Sequence, residues 1–574
     1  MTTTYDAVDL EILNSKLVSI IEEAGVTLLR TCFSAIVRDS RDFTCSLLDS
    51  TGQLLAQAPH SLPAFTATMP RTVRECLKVY PLEALNEGDV LITNNPWIAI
   101  GHLNDVCIIT PIWHHGEVVA FAANAANVAD IGGRIMGAQG ASIYEEGIQI
   151  PILKLYEQGR AKDDIFQIIK TNVRMSEQVL GDIRAQVASN EVCARRLVEF
   201  MDQGGIKDFT ALVSAIQGRS EQAMRRAILE IPDGTYSHTA YTHGFDEEVK
   251  IQVTLTVKGD EIIADYAGSS PQVKRGINCV LNYTFAYTAY TIKCVVAPHI
   301  PNNEGCFRPI TVVAPERTIV NPVYPAPVAA RSQTGKFLPI PVMRALAQAI
   351  PDRVIADSGA APLWCPSFGM TEEATGKEIT HTYMLTGGLG ARSVKDGISA
   401  IDFPSVIINV PAELHEHRFP ILIRRWNLIP DSGGPGKFRG GMGFDFEVEN
   451  LSRSTMVASL RCERTEHPAL GIAGGAPGSL GRVTRGDGTT LHPKMSHPLK
   501  PGDRILFATA GGGGYGSPLR RSADLVLQDV REGWVSLAAA CERYGVVIDP
   551  TTMTVDDEAT QACRRELAET GGAR

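Results

Sequence analysis

LNDVCIITPIWHHGEVVAFAA, residues 103–123, decides how the chain is read. Two runs, VCIITPIW and VVAFAAN, are rich in β-branched and aromatic residues and flank His115-Gly116. A glycine-containing dipeptide between two such runs reads as a hairpin. Upstream, DVLITNNPW (89–97) reads as a strand stopped by Asn95-Pro96. Residues 43–57 give a second hairpin, FTCSLLD and QLLAQ around Asp49-Ser50-Thr51-Gly52, and Pro70 to Val79 a short helix. Residues 6–37 are expected to form one long helix. Leu10, Leu13, Leu17, Ile20, Ile21, Leu28 and Leu29 recur there at spacings of three and four, which makes a single apolar stripe.

Downstream, residues 160–230 turn helical and stop at Ile231-Pro232-Asp233-Gly234, a turn signal. A hairpin around Lys258-Gly259-Asp260 covers 246–268, and an apolar helix covers 280–296. Residues 400–516 are strand- and glycine-rich, and the tail from 522 is helical with Gly545 as its C-cap. The expectation is a mixed α/β (α+β) multidomain chain. An N-terminal part over 1–232 bears the candidate site, a central part spans 233–400, a β-rich part 401–520 and a helical tail 521–574.

Bulk properties exclude several classes. At 574 residues the chain is too long for one ordinary domain. With 44% hydrophobic and 21% charged residues it is neither disordered nor collagen-like. A net charge of −10 argues against a general affinity for nucleic acid. No run approaches ~18 apolar residues, so no membrane helix is expected. The opening MTTTYDAVDLEIL does not read as a secretory signal. The 12 cysteines contain no CxxC pair, which points to reduced thiols in a cytoplasmic protein. Glycine, 52 residues, clusters at 432–443, 471–481 and 511–516. Those strings contain no GxxxxGK[ST] and are read as tight turns where backbones approach closely, not as a nucleotide cradle.

Three loops of the first 130 residues carry metal-type side chains. Asp42 stands just before a strand, His102 and Asp105 lie three apart in GHLND, and Asp130 precedes Gly132-Gly133. A hard or borderline divalent metal takes oxygen and imidazole ligands from converging loops. From spacing alone, ordinary turn residues explain these positions as well. His114-His115 reads as a solvated turn pair, and His415 and His417 as a surface charge cluster.

The chain resembles the B subunits of the hydantoinase/oxoprolinase family, with more distant similarity to subunits of acetone and acetophenone carboxylases. The resemblance rests on RDFTCSLLD (41–49), GDVLITNNPW (88–97), GHLND (101–105), DIGGR (130–134) and YEEGIQIPILKLY (144–156). It continues through DYAGSSPQV (265–273), IPNNEGCFRPI (300–310), GGLGAR (387–392), DSGGPGKFRGGMG (431–443) and GGGGYGSP (511–518). It implies a heteromeric complex in which a separate A subunit binds ATP and phosphorylates a cyclic amide. The B subunit then opens the ring with a metal-activated water. A ketone carboxylase subunit, or a diverged non-catalytic partner of an A subunit, are the alternatives.

Carried over by motif, the ligand candidates are Asp42, His102 and Asp105. Asn127 stands where the family usually has a histidine, and Asn94-Asn95-Pro96 where it often has Asn-Asp-Pro. Two readings stay open. Either a divalent metal (Zn²⁺, or a harder ion such as Mn²⁺ or Mg²⁺, since Asn lacks imidazole's affinity for zinc) is held with Asn127 or Asp130 completing the shell, or metal binding is impaired. Further candidates are Glu145 and Glu146, where a buried acid would move protons, and Arg392, which would hold a carboxylate or phosphate. A salt bridge or helix start would equally explain the two acids, and backbone ties the arginine.

Overall fold

The structure is a computed structural model describing residues 5–570, apart from 63, 64, 66, 205, 207, 246 and 406. The hairpin at 103–123 is the centre of its first sheet. β1 (Phe43–Asp49), β2 (Leu54–Gln57), β3 (Val90–Thr93), β4 (Asp105–His114), β5 (Glu117–Asn127), β6 (Leu153–Glu157) and β7 (Arg160–Ala161) pair in the order β2-β1-β5-β4-β3-β6-β7. His115 at φ 52° and Gly116 at φ 83° turn β4 into β5, the double positive φ that matches strand twist. β4 and β5 are buried along most of their length, because helices cover the sheet. The long helices Ala7–Thr31 and Ser176–Gly204 pack on each other, the first also against β1 and β2 and the second against β4 and β5.

The helix expected over 6–37 ends early. Asp6 caps it, accepting from the Val8 and Asp9 amides, but at Cys32 the backbone becomes extended. The amides of Phe33 and Ser34 leave the helix to donate to Asp182 Oδ1, at 2.6 and 3.1 Å. Ser34 then caps a separate turn of helix, Ala35–Arg38. An apolar stripe cannot reveal that break, because a buried carboxylate 148 residues away makes it. The break aims Asp42 at the end of the sheet.

The helical region 160–230 consists of Asp163–Asn172, Ser176–Gly204 and Phe209–Ile228. A second sheet joins Ile310–Val313, Glu261–Asp265, Val249–Lys258 and Gly234–Thr242 in that order, flanked by the helix Leu281–Val296. Two further four-stranded sheets build the β-rich region, and three short helices with Gly545 in left-handed conformation form the tail. The chain is therefore a mixed α/β molecule of several sheets. Its largest core draws on side chains from Ile36 to Ile472, while a second aromatic core around Trp364, Phe368, Tyr383 and Phe446 fills the β-rich sheets.

Two expectations for the second half change. The clustered glycines are mostly not turns. They run as extended segments stacked backbone on backbone: a Cβ on Gly440 would meet the Gly512 carbonyl oxygen at 2.0 Å, and one on Gly512 the Leu389 oxygen at 2.2 Å. Their amides are already used; those of Gly434, Gly512 and Gly514 donate to the carbonyls of Gly512, Gly441 and Ala476 at 2.8–2.9 Å. His415 is buried, not on the surface. It lies 2.8 Å from His381, Nδ1 to Nε2, beside Tyr383, because the helix Ala412–Arg418 packs its inner face onto the aromatic core.

Candidate metal and anion site

Sheet order brings the candidate ligands together. Asp105 opens β4, Asn127 closes β5, and the two are cross-strand partners. β1 lies on the other side of β5, with Phe43 opposite Ala126, so Asp42 arrives at the same end. The Asn127 amide donates to the Asp42 carbonyl at 3.2 Å, and its side chain donates from Nδ2 to Asp42 Oδ2 at 3.0 Å. His102 sits in the turn entering β4, its carbonyl accepting from the Asp105 amide. Buried Asn94 fixes that turn, donating to the Leu103 and Ile148 carbonyls.

Four acceptor atoms at this sheet end are buried without a donor: Asp42 Oδ1, His102 Nε2, Asp105 Oδ1 and Asn127 Oδ1. Unpaired buried acceptors are costly, and four together call for a cation or water. His102 Nε2 lies 3.0 Å from Asp105 Oδ1. Two ligand atoms on one tetrahedral metal stand about 3.3 Å apart, so this edge has near-ligand geometry. Asp42 and Asn127 flank the edge from the neighbouring strands. With one nitrogen and three oxygens the donor set suits a hard or borderline divalent ion. The residues therefore fit the group that the sequence implies.

Electrostatics at the site are steep. Burial, and then the charge on Asp105, push Asp42 up to about 6. Burial works to raise Asp105 as well, but Arg331 and His102 outweigh it and hold it below the usual carboxylate range. Burial, followed by the nearby Arg331 charge, lowers His102.

The sequence did not single out the cations of this site. Arg331 pairs with Asp105 Oδ2, donates to the Ile100 carbonyl at 3.1 Å and lies over the Tyr283 ring at 4.1 Å. Lys336 pairs with Asp402 at 3.2 Å. Arg461 donates to the Cys365 carbonyl at 2.7 Å and Ser367 Oγ at 3.1 Å. With Asp42, His102, Asn127, Met136 and Cys365 they enclose a cavity of about 30 Å³. That is room for a metal ion with a water or two. No local pattern marks these cations; Arg331 stands 226 residues beyond the Asp105 it pairs with.

The remaining candidates fall elsewhere. Asp130 does not join the cluster: Arg174 grips Oδ1 from Nε at 3.0 Å and from Nη2 at 2.7 Å, and its amide takes Oδ2. Glu145 pairs with Arg134 at 2.7 Å on the surface. Arg392 belongs to a backbone bridge with Ile355 and Lys395 and does not line the cavity. Glu146 is buried beside the site. It accepts from the amides of Val328 and Ala329, both at 2.9 Å, and burial raises it to about 8 despite those two donors. The Ala329 carbonyl in turn lies 3.2 Å from His102 Nδ1. Glu146 also lines an outer cavity of about 280 Å³ with Asn104, Arg134, Met136, Gln139 and Ser459.

Among the described residues, the one group of three or more His, Cys, Asp or Glu whose ligand atoms all lie within 4.8 Å of one another is His114, His115 and Asp202, at the opposite end of β4. His114 Nε2 is 2.9 Å from Asp202 Oδ1, so this turn pair is partly engaged rather than wholly solvated. In the buried site Asp42 stands further out than that limit, held by Asn127.

Comparison with known proteins agrees with this architecture. The chain is 31% identical to the caprolactamase subunit beta of Pseudomonas jessenii, over 98% of this chain and 99% of that one. It is 30% identical to 5-oxoprolinase 1 of Arabidopsis thaliana over 89% of its length, matching 42% of that longer protein. Its fold superposes on the crystal structure of the ATP-dependent caprolactamase from Pseudomonas jessenii with a TM-score of 0.89, at 29% identity, covering 98% and 100% of the two chains. On nucleotide-free acetone carboxylase the TM-score is 0.88 at 19% identity, a likeness of fold, covering 98% of this chain and 84% of that one. The hydantoinase B/oxoprolinase family model matches residues 6–518, and the chain belongs to that family.

Proposed function

We propose that this chain is the ring-opening subunit of an ATP-dependent cyclic amide hydrolase, acting on a ring amide that a separate A-type subunit has activated by phosphorylation. One observation carries the reading: four orphaned acceptors, Asp42 Oδ1, His102 Nε2, Asp105 Oδ1 and Asn127 Oδ1, gather at one buried sheet end. Relatives named for caprolactam and 5-oxoproline supply the substrate class. No nucleotide-cradling string is present, and backbone carbonyls occupy the amides of the glycine segments, which supports placing ATP on the partner.

Chemically, a cyclic amide is a poor electrophile with a poor leaving group, and phosphorylation of its oxygen makes the carbon attackable. A divalent ion held by Asp42, His102 and Asp105, with Asn127, would supply Lewis-acid activation of water near neutral pH. The chain's own residues prepare that site. In the tautomer whose Nδ1–H donates to the Ala329 carbonyl, the neutral His102 ring keeps its Nε2 lone pair free for a metal. Arg331 holds Asp105 Oδ2, leaving Oδ1 to face His102 Nε2. Phe65, Tyr283 and Met136 line the cavity with apolar surface and keep bulk water out.

The test is an assay of this chain with its A-type partner, following ATP use against hydantoin, 5-oxoproline, caprolactam and acetone. Ring opening coupled to ATP hydrolysis, abolished by a chelator, is the expected result. ATP turnover only with bicarbonate and a ketone would replace this reading with a carboxylase.

A further inference from the structure

Arg461 is buried, and its three hydrogen-bond partners are all neutral: the Cys365 carbonyl, Ser367 Oγ and the Met136 thioether, which faces Nη1 at 2.8 Å. Among the described residues no carboxylate lies within salt-bridge distance of it. Its neighbours at the cavity differ, since Arg331 has Asp105 and Lys336 has Asp402. Asp42 acts on it only across the cavity; a buried guanidinium with no carboxylate in contact is costly, and a thioether sulfur is a weak acceptor. The Nη1 position facing Met136 is therefore where an oxygen anion would gain most. Met136 is also the wall shared by the inner cavity and the outer one of about 280 Å³. Methionine is flexible enough to swing aside and join the two. A divalent ion at the His102–Asp105 edge would further raise the positive charge facing an incoming group.

We infer that Arg461 is the anion-binding residue of the site, receiving through the outer cavity the oxyanion that the substrate carries when Met136 gives way. This rests on the proposed function, which offers two sources of that oxyanion: the phosphoryl group on the activated amide, and the carboxylate released by ring opening. Both present oxygens that a guanidinium can take in a forked pair.

The full-length chain, loaded with Mn²⁺, is titrated calorimetrically with inorganic phosphate and separately with 6-aminohexanoate. Arg461→Gln is expected to weaken at least one of them about tenfold or more, the scale of a charge-assisted hydrogen bond. Arg461→Lys should fall between, and Met136→Ala should bind as tightly as the parent or tighter. Loss confined to phosphate assigns the phosphoryl group, and loss confined to 6-aminohexanoate assigns the carboxylate. Binding of neither probe by the parent, or equal affinities in parent and Arg461→Gln, overturns the assignment. Mn²⁺ binding measured without either probe is read separately. Its absence in the parent counts against the metal reading, while its retention in Arg461→Gln with unchanged anion affinity counts against Arg461 alone.

Discussion

His102 Nε2 and Asp105 Oδ1 face each other at 3.0 Å, while His102 Nδ1 lies 3.2 Å from the Ala329 carbonyl. A carbonyl only accepts, so Nδ1 must carry the proton that bonds it. In that neutral tautomer Nε2 is an acceptor facing another acceptor; a cation, a second proton, or the other tautomer with its proton on Nε2 toward Asp105, relieves the contact. Burial and Arg331 lower the imidazole's pKa, which disfavours the second proton. A bound cation would relieve it, and Glu146 and Gly101 support the edge, the first through the 328–329 segment and the second beside Arg331.

Glu146 acts through the 328–329 segment. Its carboxylate binds the Val328 and Ala329 amides, and Ala329 orients His102. Glu146→Ala removes that support and is expected to weaken Mn²⁺ binding roughly tenfold to a hundredfold. Metal titration of the purified variant checks this, and an unchanged dissociation constant would refute the positioning role.

Gly101 adopts φ +120°, and a Cβ there would come within 2.6 Å of Arg331 Cδ. Both the strain and the clash fall on the arginine that holds Asp105. Gly101→Ala should destabilise the chain by roughly 1–3 kcal/mol. Denaturant melts measure the loss, and activity should fall with it.

Asp130 provides the contrast. Its oxygens are committed to Arg174, so it ties the 130–134 segment to the helical region and stays out of the metal shell. Asp130→Asn should cost about 1–3 kcal/mol of stability and leave the bound-metal stoichiometry unchanged. Loss of metal with stability intact would place it in the shell instead.

The His381–His415 pair sets a pH dependence. Burial, and then neighbouring positive charge, lowers His381 to about 3 and His415 to about 4. Unfolded histidine takes a proton near pH 6.5, so below that the unfolded state binds more protons. The pair's contribution is complete above about pH 6.5 and is lost as pH falls toward 4. In His381→Phe the stability lost between pH 7 and pH 5 should be smaller than in the parent. An identical pH slope for the two proteins would contradict this.

Much of the fold was readable because alternation and turn chemistry are local. The 103–123 hairpin, the helical stop at Ile231-Pro232-Asp233-Gly234 and the Gly545 cap all follow from neighbouring residues. Asp42, His102 and Asp105 stood out as metal-type residues in loops and the family resemblance named them, with Asn127, as a ligand set; sheet order then brings the four to one edge. What stayed hidden is non-local. The helix break at Cys32 depends on Asp182, and the charge on the cavity wall comes from Arg331, Lys336 and Arg461. Asp130 looked like a ligand because its partner, Arg174, is 44 residues away. The glycine surplus read as turns because stacking against other glycine segments cannot be seen within any one of them.

The central claim is tested most directly by metal analysis of the purified complex of this chain with its A-type partner, beside the same complex carrying Asp105→Ala. The account predicts one divalent ion per chain in the parent, lost in Asp105→Ala together with chelator-sensitive ring opening. A parent complex without divalent metal, whose activity survives both chelator and Asp105→Ala, would contradict it.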